Sequence, residues 1–255
     1  SEILVGEAIK GYPRDKLLLS TKFGLVTDYY KKAIKNTTYK NVMREVQSSL
    51  INMNTDYIDF YFIHWPDVDT PIAETMSALN ELKKQGAIRY IGVSNFSKEE
   101  IEDAQKYGEI DVQQPPYSMV NRKFEELMRW GFNKGIYSMT YGSLGAGILS
   151  GAIRTMPNFE PFDLRWHFYD YFREPKFSQI MDFLTSIDKI AEAHNKPAAQ
   201  VAINWSTQKE FVGSALIGVR NKSDAEENCD AFTWKLSNEE IDLLDFELNK
   251  RQLGL

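Results

Sequence analysis

Six short apolar runs, each halting at a polar or conformationally special residue, alternate with helical periodicity along the chain. They are LLLST at 17–21 before Lys22, IDFYFI at 58–63 before His64, and YIGV at 90–93 before Ser94 and Asn95. The others are IDVQ at 110–113 before Gln114, IYSMT at 136–140 before Tyr141, and SALI at 214–217 before Gly218. None alternates strictly between apolar and polar residues, which is the pattern of strands buried on both faces. Strands separated by helices run parallel through right-handed crossovers and carry their chemistry at their carboxyl ends. The expected fold is therefore α/β, with six strand tips converging on one pocket. A closed (β/α)₈ TIM barrel is the favoured architecture, its first two βα units lying ahead of Ser1. An open doubly wound sheet is the alternative.

Helical periodicity spans residues 2–10, 39–52, 72–85, 98–106, 124–134, 178–194, 198–207, 223–231 and 238–249. Ser97 with Glu100, and Ser237 with Glu240, have capping-box spacing. Pro197 stands just ahead of Ala198, where a helix tolerates it. Residues 151–177, rich in proline and aromatics, break the rhythm as a long excursion. Such a segment either covers a site, with Trp166, Phe168 and Tyr169 as an apolar lid, or packs against the wall.

The 255 residues suffice for one large domain, taken as 1–255. A net charge of −6 argues against nucleic acid as partner, since phosphate binding needs a concentrated basic face. One local basic cluster still suffices for a small anionic cofactor. Cys229 is the only cysteine, so no intrachain disulfide forms, and a reducing, cytoplasmic setting is expected. No run approaches the ~18 apolar residues of a membrane span, and no signal peptide is visible. The chain opens directly on an amphipathic helix pattern without an initiating methionine, so further residues are expected before Ser1. Oligomeric state is left open.

At a barrel mouth, Lys22 can lower the pKa of a neighbouring phenol, form a Schiff base, or simply be a solvated rim lysine. His64 stands where barrel enzymes keep catalytic groups, with Trp65 as an apolar wall beside it. His167 and His194 read as structural, and three scattered histidines with one cysteine make a metal site unexpected. Ser94, Asn95 and Gln114 offer neutral donors and acceptors suited to an amide, or cap strand ends. Tyr141 can stack on a flat heterocycle, and the glycine-rich turn after it lets backbone approach a pyrophosphate. Glycines at 145, 147 and 151 do not make a Rossmann fingerprint. Gly218, then Arg220 and Lys222, then a helix start read as a phosphate pocket or as a charged solvent loop.

Taken together, LLLSTKFG at 17–24, TDYIDFYFIHWPD at 55–67, GAIRYIGVSNF at 86–96, VQQPPYSMVNR at 112–122, YGSLGAGILSG at 141–151 and IGVRNKSDAEEN at 217–228 resemble the aldo-keto reductase family. The resemblance implies a (β/α)₈ barrel that binds NADP(H), sometimes NAD(H), without a Rossmann motif. It implies reversible reduction of a small aldehyde or ketone to an alcohol. It assigns Lys22 and His64 to catalysis, Ser94, Asn95 and Gln114 to the carboxamide, and Tyr141 to stacking on the nicotinamide. Gly142, Ser143, Leu144 and Gly145 would follow the pyrophosphate; Gly218, Arg220, Ser223, Glu227 and Asn228 would surround the adenosine end. Trp65 would face substrate.

Two departures stand out. The family's aspartate and its proton-donating tyrosine have no match in this chain; they belong to a segment that would precede Ser1. The natural polypeptide is thus expected to be longer by about 40–60 residues, two βα units, and the chain as written to lack normal reductase activity. Asp224 stands where many relatives place a basic or amide residue near the 2′-phosphate. A non-catalytic nucleotide-binding sensor on the same barrel is the competing reading, and a Schiff-base lyase using Lys22 is a third.

Overall fold

The computed structural model describes residues 1–30 and 32–254, which divide into two compact units. The first comprises 1–114 with 131–137. In chain order it holds α1 (Glu2–Ala8), β1 (Ser20–Phe23), β2 (Leu25–Thr27), β3 (Ala33–Lys35), α2 (Tyr39–Met53), β4 (Ile58–Ile63), α3 (Ile72–Gln85), β5 (Ile88–Ser94), α4 (Lys98–Ala104) and β6 (Val112–Gln114). Strands β1, β4, β5 and β6 lie side by side in that order, all parallel. In α3 the residues Thr75, Met76, Ala78, Leu79 and Leu82 recur at helical spacing and are buried, and Gly86 ends the helix at φ 78°. The capping box of α4 forms as the spacing predicts: Ser97 Oγ accepts the Glu100 amide while Glu100 accepts the Ser97 amide.

Two details fix the register of these strands. Phe62 on β4 stands opposite Gly92 on β5, and any Cβ at Gly92 would lie 2.3 Å from the Phe62 ring. Asp59, fully buried on β4, accepts from Arg14 Nη2 at 2.7 Å, Arg89 Nη1 at 3.0 Å and the Leu19 amide at 2.9 Å. Both guanidinium groups also lie on the Tyr57 ring, at 3.8 and 4.0 Å from its centroid.

The second unit comprises 115–130 and 138–255. The elements that follow are α5 (Glu125–Asn133), β7 (Tyr137–Thr140), α6 (Leu164–Phe168), α7 (Lys176–His194), α8 (Ala198–Thr207), β8 (Val212–Ala215), α9 (Lys222–Asp230) and α10 (Asn238–Lys250). The last turn of α5 and the first residue of β7 fall in the first unit. Strands β7 and β8 pair in parallel, with a bulge between Ser138 and Met139. Every residue of α8 from Ala198 to Ser206 is buried. Three of its polar side chains find partners, though Ser206 Oγ does not: Gln200 Nε2 donates to Glu227 O at 2.8 Å, Asn204 Nδ2 to Ala231 O at 2.8 Å and Trp205 Nε1 to Asp245 Oδ1 at 2.6 Å. The Ser237–Glu240 capping box opens α10.

The helices match the sequence reading closely except for α6, which it did not contain. Gln114 ends β6 rather than following it, and three further features depart from the reading. Lys22 lies inside β1, one residue short of its end, because Ser20 and Thr21 begin the strand rather than finish it. Strand β8 starts earlier than expected and stops at Ala215, which leaves Gly218 in the following loop. The β2–β3 hairpin, with register Leu25↔Lys35 and Thr27↔Ala33, was not foreseen. Among the described residues, no helix is long and apolar enough to cross a membrane.

Candidate active site

Strand alternation assembles the first unit's share of the site. Side chains two apart share a face, and directly paired residues share it across strands. Lys22 pairs with Phe62, Phe62 with Gly92, and Gly92 with Val112; two residues on, Ser94 pairs with Gln114. His64, two beyond Phe62, is held in line by its amide, which donates to Phe23 O at 3.0 Å. Lys22, His64, Ser94 and Gln114 therefore stand on one face at the carboxyl ends of four neighbouring strands.

These groups interact. Ser94 Oγ donates to Gln114 O at 3.0 Å; Asn95 Nδ2 donates to His64 O at 3.0 Å and reaches Ser94 Oγ at 3.2 Å. Asn95 has φ 62°, a left-handed conformation that asparagine accepts more readily than most residues, and this turns its amide back toward His64. Burial, then the Lys22 charge, holds the His64 imidazole below its ordinary value. Burial likewise pulls the Lys22 ammonium below the usual lysine range. The Gln114 side chain is buried, and its Nε2 has no hydrogen-bond partner. A buried amide donor left unmatched costs free energy unless something binds it. Trp65 is 40% exposed, with Lys35 Nζ 5.8 Å from its ring centroid.

The second unit carries a cleft of about 470 Å³. One side is the turn Gly142-Ser143-Leu144; the other is Gly218, Arg220, Glu227 and Asn228. Gly142 takes φ 73°, which a β-carbon would strain and which brings backbone to the cleft surface. Ser143 Oγ is buried without a partner. Gly145 is buried behind this turn, and Ser223 lies exposed at the start of α9; neither lines the cleft. Arg220 does not stand free: its Nε and its amide both donate to Asp224 Oδ2, at 3.1 and 3.2 Å. That pairing holds the Asp224 carboxyl below the usual range. Tyr141 is half-buried, its amide donating to Pro115 O at 3.1 Å and its carbonyl accepting from the Tyr117 amide at 3.0 Å. Burial, with Tyr169 nearby, raises its phenol.

Arg165, which the sequence reading passed over, lines the same cleft, its guanidinium held by Asp163 at 2.6 Å. The signal was a short capped helix inside the aromatic excursion: Asp163 accepts the Arg165 amide. The rest of that excursion is mixed. Phe172 is buried against Phe159, whereas Phe168 is exposed. His194 is structural, as expected: Nε2 meets Glu240 at 2.7 Å and the ring lies on Trp234.

Each unit taken by itself offers groups that a nicotinamide cofactor needs: in the first the unmatched Gln114 amide suits a carboxamide oxygen, and in the second a glycine-walled cleft with an unmatched hydroxyl suits a diphosphate. Comparison with known proteins agrees. The family model described as "Aldo/keto reductase family" matches residues 1–247. The aldo-keto reductase YhdN of Bacillus subtilis is 34% identical over 244 residues, 94% of this chain and 73% of that protein. The NADH-specific methylglyoxal reductase of Escherichia coli is 32% identical over 257 residues, 96% and 78% of the two chains. A solved glycerol dehydrogenase of Gluconobacter oxydans, AKR11B4, superposes with a TM-score of 0.90 at 30% identity, covering 98% of this chain and 77% of that one. The chain belongs to the aldo-keto reductase family, and so to the (β/α)₈-barrel oxidoreductases that act on small carbonyl compounds with NAD(P)H.

Proposed function

We propose that this protein reduces an aldehyde or ketone to an alcohol with NADP(H) as the preferred cofactor. The observation that carries the reading is the shared face of Lys22, His64, Ser94 and Gln114, with the Gln114 donor unmatched. When bound, the nicotinamide supplies the hydride. Gln114 Nε2 donates to the carboxamide, and Asn95, tied to the His64 carbonyl, sets the distance between amide and imidazole. His64, kept neutral, donates a hydrogen bond to the carbonyl oxygen and orients it. The Lys22 ammonium stabilises negative charge as it grows on that oxygen, and the proton that completes the alcohol falls to the family's tyrosine, which has no match among residues 1–255. Tyr141 offers a flat protonated ring for stacking. Gly142, Ser143, Leu144 and Gly145 follow the diphosphate; Gly218, Arg220, Ser223, Glu227 and Asn228 receive the adenosine end. Trp65 meets the substrate. The lone Cys229 supports a cytoplasmic setting.

A second reading, NAD(H) in place of NADP(H), is favoured by one observation: Asp224 already occupies Arg220. Arg220 and Lys222 attract a 2′-phosphate, whereas Asp224 repels it.

Titration of the full-length protein with NADPH, then NADH, should quench tryptophan fluorescence, and 4-nitrobenzaldehyde should oxidise the bound cofactor. Lys22→Met should keep nucleotide affinity and lower kcat by about 10²–10³-fold. Failure to bind either nucleotide would end the proposal. Binding without turnover of any carbonyl would favour a nucleotide sensor instead.

A further inference from the structure

Asp67 lies three residues past His64 and touches neither Lys22 nor His64, yet it gathers more hydrogen bonds than any neighbour in its loop. Its Oδ2 accepts the Thr37 amide at 2.9 Å, the Thr37 hydroxyl at 3.4 Å and the Thr70 hydroxyl at 2.8 Å, while Oδ1 accepts the Asp69 amide at 3.1 Å. Burial opposes its ionisation, and the bonds from Thr37, Thr70 and Asp69 outweigh that, so the carboxyl sits below the usual range.

Thr37 is the foot of the β2–β3 hairpin, and it is itself buried. Its carbonyl accepts from Thr75 Oγ1 at 2.9 Å. Its methyl lies over Gly24: a Cβ there would come within 2.7 Å of Thr37 Cγ2, and Gly24 has φ +86°. The hairpin closes where the Asn36 amide donates to Gly24 O at 3.0 Å. It thus springs directly from the strand of Lys22 and returns to the loop of His64, with Asp67 joining the two. Lys35, the last residue of β3, then lies over Trp65.

We propose that Asp67 is a positioning residue: its carboxylate locks the β2–β3 hairpin to the 64–70 loop, so that Trp65, backed by Lys35, forms a fixed wall orienting the carbonyl substrate toward His64. The inference rests on the reductase reading above and adds a determinant of substrate recognition to it. Asp67 touches neither substrate nor cofactor, so its loss should appear in substrate KM rather than in nucleotide affinity.

The test uses the full-length protein, saturating NADPH and 4-nitrobenzaldehyde. Asp67→Asn should raise the aldehyde KM about tenfold, with kcat changed less than about threefold and NADPH affinity within about twofold. Trp65→Ala should raise KM too, and in that background Asp67→Asn should add less than about twofold, because the wall it holds is gone. Thr37→Val, which removes only one hydroxyl, should shift KM in the same direction by a smaller factor and serves if Asp67→Asn does not fold. Unchanged KM in Asp67→Asn and Thr37→Val overturns the proposal. So does an equal KM increase with and without Trp65, which would mean general loosening. Either result in a wild type that turns over the aldehyde leaves the reductase reading intact; a wild type with neither turnover nor nucleotide binding ends both.

Discussion

His64 shows how a single side chain is tuned here. Its ring is half-buried and faces a positive neighbour, so protonation is harder than at the ordinary value of 6.5. The sign follows: the neutral ring is fully present above pH 6.5, and whatever depends on it is lost as pH falls through the lowered folded value. The acid limb of kcat/KM should therefore lie below pH 6.5. Lys22→Met removes one of the two causes and leaves burial, so the NMR titration of His64 should move up yet stay below 6.5. An unmoved midpoint would mean that the two side chains do not sense each other. Asp224 makes a separate prediction about cofactor choice. An exposed ion pair is weak, so releasing Arg220 with Asp224→Asn should raise the NADPH-over-NADH ratio of kcat/KM by only about fivefold. At this scale Lys22, His64, Ser94 and Gln114 were legible, because each stands beside an unmistakable apolar run. Asp67 and Arg165 were not: their roles come from partners about 30 residues away or from a turn with no periodic signal.

Whole elements were read with uneven success, and the reason is physical. Strand β4 announces itself because five of its six residues are buried. The β2–β3 strands have three residues each and are largely exposed, so no hydrophobic pattern marks them. Their one local cue is Asp28, whose side chain accepts the amides of Tyr30 and Lys32 across the turn. The contact between β4 and β5 is testable. Gly92→Ala drives a methyl into the Phe62 ring, and unlike a contact at the end of a flexible side chain it has nowhere to go; the cost should be about 1–3 kcal/mol by urea unfolding. Asp59→Ala leaves two guanidinium groups without their acid. Arg89 is 46% exposed and water can take over there, so the loss should fall near the low end for a buried pair, about 3 kcal/mol. No measurable loss would show that Asp59 is dispensable to the strand.

For the molecule as a whole, the alternation of runs and periodicities was enough to name the α/β class, since most segments obey it, residues 151–177 and the β2–β3 hairpin excepted. Residues 115–130 and 138–255 form their own compact unit, and the cleft proposed for the nucleotide lies inside it. Ligand binding should accordingly register as global stabilisation: NADPH at one hundred times its Kd should add about 2.7 kcal/mol to unfolding, in wild type and in Lys22→Met alike. A variant that binds but gains nothing would show that the unfolded chain binds equally well. Helix α8 has a consequence of its own. Gln200, Asn204 and Trp205 tie it to α9, to the turn at Ala231 and to α10. A slip by one turn, about 5.4 Å, would strand all three at once. The buried alanines and Val201 along this rod can change only within tight limits of volume, and its three polar anchors must change together with their partners or not at all.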